Sequence, residues 1–178
     1  MVGAAAASVD PRAWHRAFRD LPREHGFEPL RVEGAIPKEL AGTLMRVGPS
    51  LFASHGRPYG HWFDGDGAIT AFRIDGAAGR AEGASRLLDT ADRRRELAAG
   101  RPLMGGYGTR GPSWWRRFGG HAKHVGNTNL LWWKERLFAL YEAGPPIEVD
   151  PRDLRTIGET DLDGLLTHNF AAHPHHLP

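Results

Sequence analysis

Glycine and proline recur so densely from about residue 34 onward that turns must interrupt this 178-residue chain every few residues. The sequence holds 23 glycines and 13 prolines, and both residue types mark turns and loops. Between them lie short apolar or alternating runs, the pattern of half-buried β-strands. Many short strands with Gly- and Pro-rich turns are typical of a β-sandwich, a β-barrel or a β-propeller. The sequence therefore predicts an all-β chain, and composition does not choose among these architectures.

Seven segments carry the strand pattern. The dipeptide Asp75-Gly76 is a hairpin signal between two of them, and Lys134-Glu135 separates another pair. The predicted strands are Gly42–Val47, Ala68–Ile74, Arg80–Leu88, Asn129–Trp133, Arg136–Tyr141, Ile147–Val149 and His168–Ala172.

Helical segments are few and short. Ala91–Ala98 predicts one helix within the body of the chain, ended by Gly100. A second short helix is predicted over Ala13–Leu21, before a proline. We expect residues 1–26 to form a flexible N-terminal tail and residues 27–178 to form the folded region.

Composition excludes several classes of site. The chain has no cysteine, so a metal would have to rest on His, Asp or Glu side chains. The net charge is only +2 and the basic residues are scattered, which argues against a nucleic-acid-binding protein. No apolar run approaches the ~20 residues of a transmembrane helix. The expectation is a soluble, cytoplasmic protein without a transmembrane segment.

Histidines crowd the end of the sequence. His173, His175 and His176 fall within the last six residues, and imidazole is the commonest metal ligand. In a strand, His173 and His175 would share one face. The alternatives are a solvated polar terminus or an effect of where the chain was cut. Such a cluster at a chain end favours a natural chain that continues further.

Two other acidic motifs have competing interpretations. Asp64-Gly65-Asp66-Gly67 resembles the start of a calcium loop but lacks the spaced ligands and distal Glu, so a tight turn with Asp bonded to its own backbone is favoured. The preceding His61-Trp62-Phe63 is expected to be a buried anchor. Glu142 follows a predicted strand and could be a general base, an ion-pair partner or the acceptor that orients a metal-bound histidine.

An aromatic and basic segment interrupts the Gly- and Pro-rich region. Trp114 and Trp115 are followed by two arginines and Phe118. Tryptophan and arginine at this density suit a membrane interface or a partner surface. The equal alternative is a loop whose aromatic side chains pack on the core.

Taken in order, these motifs resemble the carotenoid cleavage oxygenase family over about residues 27–178. Each motif alone is modest, but their fixed order is specific. The matching segments are Gly34–Ser50, His61–Gly67, Gly126–Asn129, Leu137–Glu142, Asp150-Pro151, Leu154, Thr156–Gly158 and Ala172–His175.

The resemblance implies a fold and a metal site. The family's fold is a seven-bladed β-propeller with Fe(2+) on its axis, held by four histidines, some of them oriented by glutamates. This chain would supply only the N-terminal blades, as a partial propeller with short helical insertions. His173 falls on the first iron-ligand position and Glu142 on the first orienting glutamate. The segment with Trp114, Trp115 and Phe118 falls where the family carries an apolar patch that contacts membrane.

The resemblance also implies an activity. The complete protein would be a non-haem iron dioxygenase that uses O2 to split a conjugated C=C bond of a lipophilic carotenoid, apocarotenoid or stilbene into two carbonyl products. A peripheral membrane contact is expected, and nucleic acid is not an expected partner. The alternatives are a non-catalytic propeller module that binds a hydrophobic ligand and a retinoid-type isomerase. Because three histidine ligands are lacking, we expect residues 1–178 alone to be inactive and poorly soluble.

Overall fold

In the computed structural model, residues 18–111 and 121–175 are described. Within these ranges the chain forms two four-stranded antiparallel sheets, a two-stranded sheet and one α-helix. The first sheet contains β1 (His25–Pro29), β2 (Ala41–Leu51), β5 (Asp66–Asp75) and β6 (Arg80–Leu87). The small sheet contains β3 (Ala53–Ser54) and β4 (Arg57–Pro58). The second large sheet contains β7 (Asn129–Trp133), β8 (Arg136–Leu140), β9 (Ile147–Val149) and β10 (Thr156–Glu159), and the helix is α1 (Ala91–Ala99).

The first sheet has the strand order β1-β6-β5-β2. Strands β5 and β6 form the predicted hairpin, in which Asp75 pairs with Arg80. The Asp75 side chain closes the turn by accepting a hydrogen bond of 3.0 Å from the Ala78 N–H. An aspartate that bonds the backbone two or three residues on favours a tight turn, so this short motif sets the register between β5 and β6.

The second sheet is a meander in the order β7-β8-β9-β10. Lys134 and Glu135 join β7 to β8 and both have positive φ angles of 49° and 60°, the geometry of a two-residue hairpin that follows the strand twist. Strand β7 lies against β2 of the first sheet. Apolar side chains from both sheets form one core: Ile69, Ala71, Ala84, Leu88, Leu137, Ala139, Ile147, Val149 and Leu154.

Helix α1 has a start and a stop that the sequence encodes. Thr90 is the N-cap, and its hydroxyl accepts a hydrogen bond of 3.1 Å from the Arg93 N–H. Gly100 adopts the left-handed conformation that ends many helices, with a φ of 63°. The helix is short and polar, and it buries Asp92 and Glu96 rather than an apolar stripe.

Both sheets meet at one end, which we call the upper end: β5 and β7 begin there, and β2, β6 and β8 end there. The Gly67 N–H donates to the Val125 carbonyl at 2.9 Å. The Asn127 amide donates to the carbonyl oxygens of Phe63 and Gly65, both at 2.8 Å. These bonds fix the segment that leads into β7 against the start of β5.

Six of the seven predicted strands are confirmed, as is helix α1 with its Gly100 end. The strand predicted over His168–Ala172 is wrong: this segment has no regular structure, because only isolated hydrogen bonds hold it rather than a neighbouring strand. Strands β1, β3, β4 and β10 were not predicted.

Residues 18–26 are the described part of the expected N-terminal tail. Strand β1 begins at His25, and the Leu21 N–H donates to the Ser50 carbonyl at 2.7 Å. The Glu24 carboxylate accepts a hydrogen bond of 3.0 Å from the Leu87 N–H. Residues 18–26 are therefore bonded to the first sheet, and the rest of the expected tail, with most of the helix predicted over 13–21, lies outside the described residues.

The close approach at Gly67 gives a test of how the two sheets join. A Cβ at Gly67 would lie 2.6 Å from the Val125 carbonyl oxygen, which is backbone and cannot turn away. Gly67→Ala is expected to lower the free energy of unfolding by about 1–3 kcal/mol, the usual cost of overpacking, as measured by chemical denaturation.

Gly48→Ala is the matched control, because Gly48 lies on the neighbouring strand β2 with open space where a Cβ would be. Its effect is expected to be neutral or slightly stabilising. Equal effects of the two substitutions would show that the approach at Gly67 is not tight.

Candidate metal centre

Glu142 and His173, far apart in sequence, lie side by side at the upper end. The His173 Nε2 atom is 3.6 Å from a carboxylate oxygen of Glu142. Their side chains are 67% and 58% exposed, so one side of this pair is open to solvent. The structure thus brings together the two residues for which the sequence predicted a metal-site role.

Two hydrogen bonds just before His173 in the sequence hold it near Glu142. The Phe170 N–H donates to the Gly144 carbonyl at 3.3 Å. The Asn129 amide donates to the Ala172 carbonyl at 3.0 Å, and Ala172 is fully buried. The segment before His173 is therefore fixed to the start of β7 and to the loop that carries Glu142.

The pair can contribute one ligand to a metal but does not by itself form a metal site. An imidazole nitrogen is a suitable ligand for iron, and a carboxylate beside it can orient the ring. At 3.6 Å the contact is longer than a hydrogen bond, so the ring is not yet held by Glu142. Within residues 18–111 and 121–175, no three His, Asp or Glu side chains lie close enough to hold a metal ion.

Other polar side chains, Tyr141 and Asp64, also lie at this end of the sheets. Burial, together with the negative charge of Asp64, raises the pKa of the Tyr141 phenol. Asp64 is buried and accepts hydrogen bonds from the N–H groups of Gly108 and Thr109 at 3.0 and 2.8 Å, from the Thr109 hydroxyl at 2.7 Å and from the Tyr107 N–H. The interpretation that Asp64 bonds its own turn is therefore wrong: it holds a loop more than forty residues away in sequence.

Aromatic side chains lie exposed beside Asp64. Trp62 and Phe63 are 47% and 45% exposed, and Tyr107 is 74% exposed. Their rings contact one another edge to face, with 4.2 Å between the centroids of Trp62 and Phe63 and 5.5 Å between those of Phe63 and Tyr107. The expectation of a buried anchor at residues 61–63 is wrong, because these rings contact one another edge to face at the surface of the described chain rather than entering the core.

A buried ionic cluster fastens the loop between α1 and β7. The Lys123 ammonium lies 2.7 Å from Asp66 and 3.0 Å from Glu96, and all three residues are buried. The Tyr59 hydroxyl donates to Asp66 at 2.8 Å and accepts from Lys123 at 2.7 Å. Glu96 also accepts from the Leu103 N–H at 2.9 Å. Sequence reasoning missed Lys123, since a lone lysine next to histidines in a Gly-rich stretch carries no burial signal.

Two further histidines near the end of the described chain, His168 and His175, are exposed. The patch of Trp114, Trp115 and Phe118 lies outside the described residues, so the membrane-contact prediction for it stays a prediction. No helix in the described part of the chain is long and apolar enough to cross a membrane.

The described chain is mostly β and presents an imidazole next to a carboxylate at one end of its sheets. The family model described as retinal pigment epithelial membrane protein matches residues 18–178. The chain is 38% identical over 172 residues to the apocarotenoid-15,15'-oxygenase of Synechocystis sp., covering 94% of this chain and 35% of that protein. It is 33% identical over 158 residues to the lignostilbene-alpha,beta-dioxygenase isozyme III of Sphingomonas paucimobilis, covering 88% of this chain and 31% of the relative.

Solved structures give the same result. Cobalt-substituted Synechocystis ACO matches with a TM-score of 0.83 and 38% identity, over 93% of this chain and 35% of that one. The chain belongs to the carotenoid cleavage oxygenase family. It spans about a third of the length of the curated relatives it matches.

The buried ionic cluster predicts a large effect of removing its cation. Burial alone would lower the pKa of Lys123, but the charge of Asp66 and the hydrogen bonds of the cluster outweigh it and raise that pKa. Lys123→Met would leave two buried carboxylates without their cation and is expected to destabilise the fold by about 3–5 kcal/mol in chemical denaturation. Lys38→Met, at an exposed lysine, should change stability by less than about 0.5 kcal/mol. A Lys123→Met protein as stable as Lys38→Met would contradict the cluster.

Acid should weaken the same cluster through Glu96. Burial alone would raise the pKa of Glu96, but hydrogen bonds from the Leu103 N–H and Lys123 lower it below its ordinary value of 4.5. A carboxyl whose pKa is lower in the folded state stabilises the fold above its unfolded value and loses that effect as the pH falls through the folded value. The stability difference between wild type and Glu96→Gln should therefore shrink as the pH falls below 4.5. A difference that is constant with pH in denaturation curves would contradict this assignment.

Proposed function

We propose that this chain provides the first iron-binding histidine, His173, and the neighbouring carboxylate, Glu142, of a non-haem iron oxygenase. The protein would use O2 to cleave a conjugated C=C bond of a carotenoid, apocarotenoid or stilbene into two carbonyl products. The observation that carries this proposal is the 3.6 Å approach of Glu142 and His173. The names of the relatives, an apocarotenoid oxygenase and a lignostilbene dioxygenase, support the substrate class.

We further propose that the two four-stranded sheets are neighbouring blades of a β-propeller. Each is an antiparallel four-stranded sheet, and β2 of one lies against β7 of the other, which is the relation between adjacent blades. The remaining iron ligands would come from outside the described residues. On this proposal residues 1–178 alone, with one histidine ligand, do not carry the activity.

The proposed roles of the residues follow from their positions. His173 would donate an imidazole nitrogen to iron from an exposed position with a free side. Glu142 would move from 3.6 Å to hydrogen-bonding distance of an imidazole N–H, fixing the orientation of a ring and increasing its basicity. Ferrous iron, when bound, supplies the redox chemistry that lets O2 react with an alkene.

The exposed aromatic rings suit an apolar substrate. Trp62, Phe63 and Tyr107 lie at the same end of the sheets and offer flat faces to a conjugated chain. The patch of Trp114, Trp115 and Phe118 would collect such a substrate from a membrane surface. Cleavage is favoured over isomerisation because the relatives named above are an oxygenase and a dioxygenase.

The iron assignment is tested in the protein as its gene encodes it. His173→Ala is expected to reduce bound iron to background and to abolish cleavage of a hydroxylated stilbene and of an apocarotenoid. His175→Ala is the matched control, an exposed histidine two residues away, and should keep both. Glu142→Gln should weaken iron binding about 10- to 100-fold, as loss of a ligand-orienting partner does.

Metal analysis and product chromatography distinguish the alternatives. Iron bound equally by wild type and His173→Ala would show that the metal site lies elsewhere. A wild-type protein that binds a polyene, but binds no iron and forms no O2-dependent product, would support the alternative of a non-catalytic binding module.

A further inference from the structure

We infer that His124 is a positioning residue that sets the loop of residues 141–146, and through it the distance between Glu142 and His173. The sequence gives His124 no motif, and the family resemblance assigned it no role. The inference rests on the proposed function only for its iron measurement.

The His124 ring is buried and makes one directed bond. Its Nε2 lies 2.7 Å from the Pro145 carbonyl oxygen, so Nε2 carries the proton and donates. Its Nδ1 is buried and has no hydrogen-bond partner among the described residues. A ring with one satisfied nitrogen and one enclosed nitrogen has a single favourable tautomer and orientation. The His124 N–H therefore donates to the loop of residues 141–146 at one defined position, the Pro145 carbonyl oxygen.

The ring also packs tightly against both ends of the loop. It lies 5.4 Å from the Tyr141 ring, centroid to centroid. A Cβ on Gly144 would lie 2.3 Å from the His124 Cδ2 atom, so only glycine leaves room for the imidazole there. Contacts on Tyr141, Gly144 and Pro145 flank Glu142 in the sequence, and Glu142 is the one exposed carboxylate between them.

The backbone beneath the ring is fixed by helix α1. The His124 N–H donates to the buried Asp92 carboxylate at 2.9 Å. Asp92 lies in the first turn of α1, whose Glu96 is held by Lys123. The backbone of His124 is thus hydrogen-bonded to helix α1, which restricts where the imidazole can lie.

The loop of residues 141–146 is also hydrogen-bonded to the segment that precedes His173. The Gly144 carbonyl accepts the Phe170 N–H at 3.3 Å, and the Pro146 carbonyl accepts the Thr160 N–H at 2.9 Å. Gly144 is thus packed on one side against His124 and bonded on the other to the segment that ends in His173. A shift of the loop would move Glu142 and His173 relative to each other.

The test compares His124→Phe, which keeps a ring but has no donor, with His124→Gln, whose amide can donate to Pro145 at a similar reach. Hydrogen exchange of the Gly144 and Phe170 amides is expected to speed up about tenfold or more in His124→Phe and to stay close to wild type in His124→Gln. The Ile69 amide, in the core strand β5, should be unchanged in both. Ferrous iron should bind about tenfold more weakly to His124→Phe only.

Equal exchange in the two variants, or an acceleration at Ile69 as large as at Gly144, would overturn the positioning role and leave His124 as ordinary packing. Nitrogen NMR of wild-type His124 gives a second test that needs no variant: a proton on Nδ1 instead of Nε2 would overturn it. If the wild-type protein takes up no iron, the proposed function fails, while the exchange and tautomer measurements still decide the role of His124.

Discussion

The buried cation of Lys123 is the constraint on which the upper end of this structure depends. It forms ion pairs with both Asp66 at the start of β5 and Glu96 in helix α1, and it donates a hydrogen bond to the Tyr59 hydroxyl. Buried charges are tolerated only when they are paired and hydrogen-bonded, so these elements can come together only with Lys123 in place. Because Lys123 precedes His124 and the segment into β7, the cluster also sets where the second sheet begins.

The position of the candidate metal centre follows from that arrangement. The upper end concentrates polar side chains that bond backbone groups of distant loops, such as Asp64 and Asn127. These bonds use the buried carboxylates and amides for structure, and they leave Glu142 and His173 exposed at the edge. The proposed metal site thus lies on the solvent-exposed side of these bonded loops, where further ligands and a substrate would have access.

Local signals account for the parts of the fold that the sequence predicts. Asp75-Gly76 and the Thr90 to Gly100 interval act through turn and cap bonds between near neighbours, so they are readable in one sequence. Strand β10 depends on its pairing with β9 and on Gly158, which has a φ of 154°. Its sequence has no alternating apolar pattern that would predict a strand. The strand expected at 168–172 fails for the opposite reason: its residues suit a strand, but among the described residues no strand pairs with it.

The candidate site also contains residues that the sequence predicts and residues that only the structure reveals. His173 and Glu142 were predicted from the family motif, and the structure adds their proximity. The roles of Asp64, Lys123 and His124 depend on contacts across about twenty to sixty residues of sequence, and an isolated Asp, Lys or His in a Gly-rich stretch carries no sign of such a partner. The proposal for His124 therefore comes from the structure alone.

An iron-edge anomalous difference map from crystals of the protein as its gene encodes it would test the central claim most directly. One strong peak is expected at metal-bonding distance from an imidazole nitrogen of His173, with Glu142 close by and His175 turned away. A peak that His173 does not contact, or an ordered His173 with no iron in an iron-loaded protein, would contradict the claim that this chain carries the first ligand of an iron oxygenase.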